Sequence, residues 1–348
     1  MKKTIVFIDH SFHKKTKSSN FFKNILQKEY KVEWLWDDSW AGKPSVSFKQ
    51  INFLNPDIVI YWQIRPLPHI IKKINAKNII WVPMEEYERS IFDWQIYKKT
   101  NLKILCFQKA NFDIVSRLGF KTFYIQYFIK PHKINKDYSK NKIIFWQRTG
   151  DVTWNLVKKI IGNQNIDNIF FRNIPDPFMF GLPKPKENDI KKYNIILSNE
   201  WLSDDELENL YKNYNIFIAP RKYEGIGMAL LEAMSYGLVV IAPNTPTHNE
   251  YIKNGINGFL YDINNPVEIE LKNLESIGKN ALLSIESGYE NWIGSQNLLL
   301  KFIEEQNEVY KIEPKSFSYK ISFYYFLFRV KLFLKSFIKK VIYKFFKN

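Results

Sequence analysis

Twelve short apolar runs recur along this chain, and several of the segments between them carry apolar residues at helical spacing. The first six runs lie at 4–8, 32–35, 57–62, 78–82, 103–107 and 122–127, with helical patterns such as 19–29 and 110–118 between them. Strands that alternate with helices argue for an α/β domain built on a parallel sheet, because parallel strands need a crossover connection. A polar stretch with linker composition follows, KPHKINKDYSKN at 130–141. The alternation then begins again, with runs at 142–146, 168–172, 193–197, 216–219, 238–242 and 258–261. Two consecutive α/β domains are expected, at 1–135 and 136–310, and 348 residues is a comfortable length for two. Residues 281–305 look helical and close the second domain, and Pro314 breaks that pattern. Open parallel sheets bind ligands at the carboxyl ends of their strands, so each domain has one edge to search.

Charge divides the chain differently. The net charge is +16, but 311–348 holds ten Lys or Arg and one acid, Glu313, so the tail alone contributes +9. An acidic partner for the tail and a ligand for the body are therefore separate questions. Within the tail, Leu327, Val330, Leu334, Ile338, Val341 and Phe345 fall on one helical stripe, with Lys335, Lys339, Lys340 and Lys347 off it. Lysines recur too often for a spanning helix. The pattern reads as an amphipathic helix at 315–348 lying on an anionic membrane surface, and its aromatic density favours membrane over nucleic acid. The start, MKKTIVFIDH, has too short an apolar run for a signal peptide and reads as a first strand. A cytoplasmic protein, peripheral on the membrane's inner face, is expected. The single cysteine, Cys106, cannot form an internal disulfide and reads as a buried core thiol.

The segment richest in chemistry is NIFIAPRKYEGIGMALLEAMSYGLVVIAPNTPTHNEYIKNGINGFLYD, from Asn215 to Asp262. Residues 216–219 read as a strand, 220–224 as the loop at its carboxyl end, and 225–236 as a helix stopped by Gly237. Gly225 and Gly227 allow close approach to the backbone around Ile226. The helix start offers free N–H groups and the positive end of its dipole to an anion, with Arg221 and Lys222 beside it. Glu224 and Glu232 stand eight residues apart, roughly 12 Å along a helix. That length is comparable to a nucleotide sugar from hexose ring to ribose.

The frame Pro220, Glu224, Gly225, Gly227, Glu232, Ala233 and Gly237, with the downstream acid Glu250 and a closing Gly255, Gly258, Phe259, Leu260, resembles the donor-binding core of the retaining GT-B glycosyltransferases. The likeness is to the group 1, family-four-like mannosyl- and glucosyltransferases of lipopolysaccharide, capsule and glycolipid assembly. It covers about 50 residues directly. The resemblance implies a GT-B fold of two Rossmann-like domains facing across a cleft, a UDP- or GDP-linked sugar donor, and transfer with retention to a saccharide or lipid-linked acceptor. It implies that Glu224 serves the donor sugar at the reacting centre and Glu232 the ribose. It also implies an arginine and a lysine gripping the diphosphate after the first strand of the second domain.

Several positions depart from that family. Arg148 suits the arginine, but the lysine's place holds Trp154 or Asn155, leaving Lys222 or Lys158 to compensate. The usual Gly-Gly before the third acid is Pro246-Thr247, and proline offers no N–H, so the hydroxyls of Thr245 and Thr247 are the candidates there. Where the family often carries a histidine in the first domain, this chain has Glu85 and Glu86; His10 is another acceptor-side candidate. Trp201 lies in the loop where such folds hold the nucleobase and is either a stacking platform or a packing residue. No Asp-x-Asp occurs, so neither a metal nor any other cofactor is expected. The incomplete Arg–Lys pair keeps a rival open: a catalytically inactive, nucleotide-sugar-binding partner of a glycan-assembly complex.

Overall fold

The computed structural model describes residues 2–84, 94–177 and 179–306. Glu85, Glu86 and the basic tail lie outside the described residues. The chain divides into two compact units: one holds the chain up to Ile125 and again from Ser295, and the other is Gln126–Gly294.

The first unit is built on six parallel strands: β1 (Thr4–Asp9), β2 (Lys31–Trp36), β3 (Ile58–Trp62), β4 (Asn78–Val82), β5 (Leu102–Cys106) and β6 (Thr122–Tyr124). Their order is β2-β1-β3-β4-β5-β6. All five residues of each of β3, β4 and β5 are buried, which explains why they read as apolar runs, Asn78 and Lys103 excepted. Cys106 is fully buried among Ile104, Val115 and Trp81, as its sequence context implied. β1 has β2 on one side and β3 on the other, so the sheet changes direction between β1 and β3.

The second unit repeats the design with β7 (Lys142–Gln147), β8 (Asn168–Asn173), β9 (Ile195–Ser198), β10 (Ile216–Ile218), β11 (Val239–Pro243) and β12 (Phe259–Tyr261). The order β12-β11-β10-β7-β8-β9 places its change of direction between β7 and β10. In open sheets of this kind that switch point, at the carboxyl edge, is where ligands sit.

Two expectations need correction. The closing helix is Leu274–Glu304 and starts seven residues earlier than the pattern at 281–305 suggested. Leu274, Ile277, Ala281 and Ile285 are all buried at spacings of three and four, so the apolar stripe extends through that first part. The stretch 130–141 contains no helix or strand, but it is not a free linker. Lys136 Nζ donates to the carbonyls of Lys212 (3.0 Å) and Tyr214 (2.8 Å), and Tyr138 Oη to that of Gly237 (2.6 Å). The ring of His132 stacks on Tyr236 at 3.9 Å. Its lysine and tyrosine serve as ties to carbonyls at helix ends, a role that composition does not reveal. Among the described residues no helix is long and apolar enough to cross a membrane.

Candidate functional site

The switch point of the second sheet is flanked by charge. β7 ends at Gln147, which is fully buried; its Oε1 accepts from the backbone N–H of Trp154 at 2.8 Å and its Nε2 donates to the Pro183 carbonyl at 2.9 Å. Those two bonds fix the turn that sends out Arg148. On the other side β10 leads through Pro220 to Arg221.

Both guanidinium groups converge on one carboxylate, Asp176. Arg148 donates to its Oδ1 through Nε (2.9 Å) and Nη2 (2.8 Å), while Arg221 Nη2 pairs with Oδ2. Arg221 Nη1 also lies 3.8 Å from Glu224 Oε2. The side chains are nearly buried, between 9% and 15% exposed, so these pairs are weakly screened. Arg148, Arg221 and Glu224, singled out separately in the sequence, thus form one network. Sequence reasoning missed Asp176, the residue that joins it. The available signal was its place between Pro175 and Pro177, since a residue before proline is held extended.

The loop bearing Glu224 is held by hydroxyls. Thr245 Oγ1 donates to the Lys222 carbonyl and Thr247 Oγ1 to that of Glu224. In this arrangement each threonine's one hydroxyl hydrogen is committed to the loop. His248, missed in the sequence, is buried beneath; its Nδ1 lies 3.3 Å from Thr245 Oγ1, and burial pushes its pKa down to about 3.

The helix after the loop is Met228–Ser235, not 225–236. Its N-cap, Gly227, has φ +79°, a left-handed conformation that excludes it from the helix and leaves Gly225 and Ile226 in the loop. The backbone between Glu224 and Glu232 is therefore only partly helical, and the 12 Å helical spacing does not apply. Glu232 projects from this helix toward Tyr211, whose hydroxyl donates to Oε2 at 3.4 Å. Burial raises the carboxyl to about 7; the Tyr211 bond opposes the rise and Asp204 adds to it.

Trp201 belongs to a stack of rings and cations. The Arg172 guanidinium lies 4.4 Å from the Trp146 ring and 4.9 Å from that of Trp201, and Arg148 lies 4.3 Å from Trp146. The family lysine's place is filled by Trp154, a core residue 1% exposed that donates Nε1–H to Asp189 at 2.8 Å. Lys158 pairs with that same Asp189 at 3.3 Å. Lys222 Nζ lies 5.0 Å from the Tyr223 ring. The arrangement gathers two arginines on one carboxylate beside a glycine-bearing loop that carries Lys222 and Glu224. His10 is in the first unit, beyond the end of β1.

Residues 183–279 match the family described as glycosyl transferases group 1. Over 157 residues the chain is 30% identical to the UDP-Gal:alpha-D-GlcNAc-diphosphoundecaprenol alpha-1,3-galactosyltransferase of Escherichia coli, covering 45% of this chain and 38% of that protein. The matches span less than half the length of the curated relatives. Among solved structures, the sucrose-phosphate synthase of Thermosynechococcus elongatus aligns with a TM-score of 0.58 at 12% identity, covering 86% of this chain and 98% of that one. A glycosyltransferase from Rickettsia africae aligns with a TM-score of 0.55 at 14% identity, covering 88% and 100%. The chain has a GT-B fold, and the match to the group 1 glycosyltransferases lies within its second unit.

Proposed function

We propose that this chain, a group 1 segment in a GT-B architecture, is a retaining, metal-independent glycosyltransferase. It moves a sugar from a UDP- or GDP-linked donor to a saccharide or lipid-linked acceptor in the assembly of a surface polysaccharide or lipopolysaccharide. The observation that carries the reading is the Arg148–Asp176–Arg221–Glu224 network at the switch point of the second sheet.

The leaving diphosphate takes the place of Asp176 as partner to Arg148 and Arg221, assisted by Lys222 and by backbone N–H groups of Gly225–Gly227. As the bond from anomeric carbon to phosphate oxygen breaks, negative charge develops on the diphosphate. The guanidinium groups stabilise that charge once they have exchanged Asp176 for phosphate oxygens. Glu224 binds donor-sugar hydroxyls and Glu232 the ribose diol. Trp201 offers a ring to the base. The basic segment 315–348 holds the protein to the inner face of an anionic membrane, where a lipid-linked acceptor is found.

A panel of UDP- and GDP-linked hexoses, assayed for binding and for donor hydrolysis beside Glu224→Ala and Glu232→Ala, tests the donor reading. Absence of binding by the whole panel would overturn it. Binding with no turnover on any donor would favour an inactive partner subunit. Co-sedimentation with phosphatidylglycerol vesicles tests the membrane contact: a chain ending at Pro314 should stay in solution, and equal sedimentation of both chains refutes it.

A further inference from the structure

Arg172, near the end of β8, is a buried charge that pairs with no carboxylate among the described residues. Its side chain is 5% exposed, and neither Nε nor Nη2 has a hydrogen-bond partner among those residues. Trp146 and Trp201 offer it ring faces rather than acceptor oxygens. Burial lowers its pKa; Tyr211 opposes that shift and Arg148 adds to it. A guanidinium carries only donors, so its burial calls for acceptor oxygens. Buried polar groups are nearly always satisfied, which makes this arginine an exception that needs a cause.

A carboxylate stands close by. Trp146 lies beside Arg172 in the register of β7 and β8, and its ring bears Arg148 as well, at 4.3 Å against 4.4 Å for Arg172. Arg148 is held in turn by Asp176, which follows Arg172 by four residues. The backbone around Asp176 is tied to the end of β7: Trp146 Nε1 donates to the Ile174 carbonyl at 2.8 Å, and the Asp176 N–H to the Arg148 carbonyl at 2.9 Å. One carboxylate thus stands near three arginines and pairs with two. A diphosphate carries more charge than a carboxylate and more acceptor oxygens, so it displaces Asp176 from Arg148 and Arg221. A nearly buried carboxylate stripped of its partners is costly. Arg172 is the donor that lacks one.

We propose that Asp176 is a two-position switch: it pairs with Arg148 and Arg221 until a nucleotide diphosphate arrives, then passes to Arg172. With its backbone tied, the carboxylate changes partner by turning about its own side-chain bonds, and its return helps to expel the nucleoside diphosphate product. Asp176 and Arg172 are positioning residues, and the inference rests on the donor reading above. Calorimetric titration of the full-length protein with UDP and with GDP tests it. Asp176→Asn removes the competing charge and should bind the preferred nucleotide at least fivefold tighter than wild type. Arg172→Met should bind it at least fivefold more weakly, and that penalty should shrink to within twofold in the Asp176→Asn background. An equal Arg172→Met penalty in both backgrounds overturns the switch, because Arg172 would then act on the nucleotide directly. So does an unchanged affinity in either single variant. If Arg172→Met fails to fold, a crystal structure of the wild type with the nucleotide decides. An Asp176 carboxylate within about 4 Å of the Arg172 guanidinium supports the switch, and one still on Arg148 or turned to solvent overturns it. Failure of the wild type to bind either nucleotide sinks the donor reading itself; binding without coupling between Asp176 and Arg172 sinks the switch alone.

Discussion

Tyr211 donates its hydroxyl to Glu232 Oε2 at 3.4 Å, a long bond that only partly offsets the burial of that carboxyl. Glu232 rises to about 7, so at neutral pH it is poised between its two forms. A ribose diol donates hydrogen bonds and therefore prefers the carboxylate. Nucleotide-sugar affinity should rise about tenfold from pH 6 to pH 8 and level off above, following the ionised fraction. Calorimetric titration with an intact nucleotide sugar is the measurement, with Glu232→Gln as the flat control; equal pH slopes for both proteins would exclude Glu232 as the titrating group.

The same shift has a sign for stability. A carboxyl whose folded pKa lies above its unfolded value binds more protons when folded, so stability falls as pH rises from about 4.5 to about 7. Glu232→Gln removes that loss. Its unfolding free energy should exceed that of wild type at pH 8 by about 3 kcal/mol, read as a higher melting temperature, and the two should converge near pH 4.5.

Asp176 holds two arginines at once. Asp176→Ala leaves both guanidinium groups nearly buried without this carboxylate and should destabilise the protein by about 3 kcal/mol, read from urea unfolding. Arg148→Lys cannot reproduce the paired Nε and Nη2 contacts. It should lower kcat/KM for the donor at least tenfold, and Arg148→Ala further.

Two glycines of the helix Leu274–Glu304 should behave oppositely. A methyl at Gly278 would meet Tyr138 Oη at 2.1 Å and the Gly237 carbonyl at 2.6 Å, breaking the tie between Tyr138 and Gly237. Gly278→Ala should cost about 2 kcal/mol. Gly294 has nothing within 4 Å of such a methyl, so Gly294→Ala should stabilise by about 0.5–1 kcal/mol through helix propensity. Thermal melts of the two variants side by side decide the matter.

Strands were the most legible feature of the sequence. Each of the twelve observed strands overlaps an apolar run, and the central strands, buried on both faces of a parallel sheet, do so most fully. Long-range polar contacts left no such mark. Asp176 meets partners 28 and 45 positions away, and no local periodicity encodes that. Trp154 illustrates the converse: a tryptophan where a lysine was sought is accounted for by the core it fills against Phe171 and Tyr193. The helix start at Met228 was misjudged because Gly225, read as opening the helix, belongs to a loop held by threonines 23 residues downstream of the carbonyls they bind.

Lys103 is buried in the first unit, where its ammonium meets the carbonyls of Phe302, Ile303 and Glu305 at the end of the long helix; Asn78 Nδ2 donates to those of Ile303 and Glu304. These partners follow Lys103 by about 200 residues in the chain. During synthesis at 5–20 residues per second, the strands of the first unit therefore wait about 10–40 s for the segment that satisfies them. Through that interval Lys103 lacks the carbonyls it meets in the folded chain. A fragment ending at residue 125 lacks the segment that meets Lys103 and Asn78, and a peptide of 295–306 added in trans should restore those contacts.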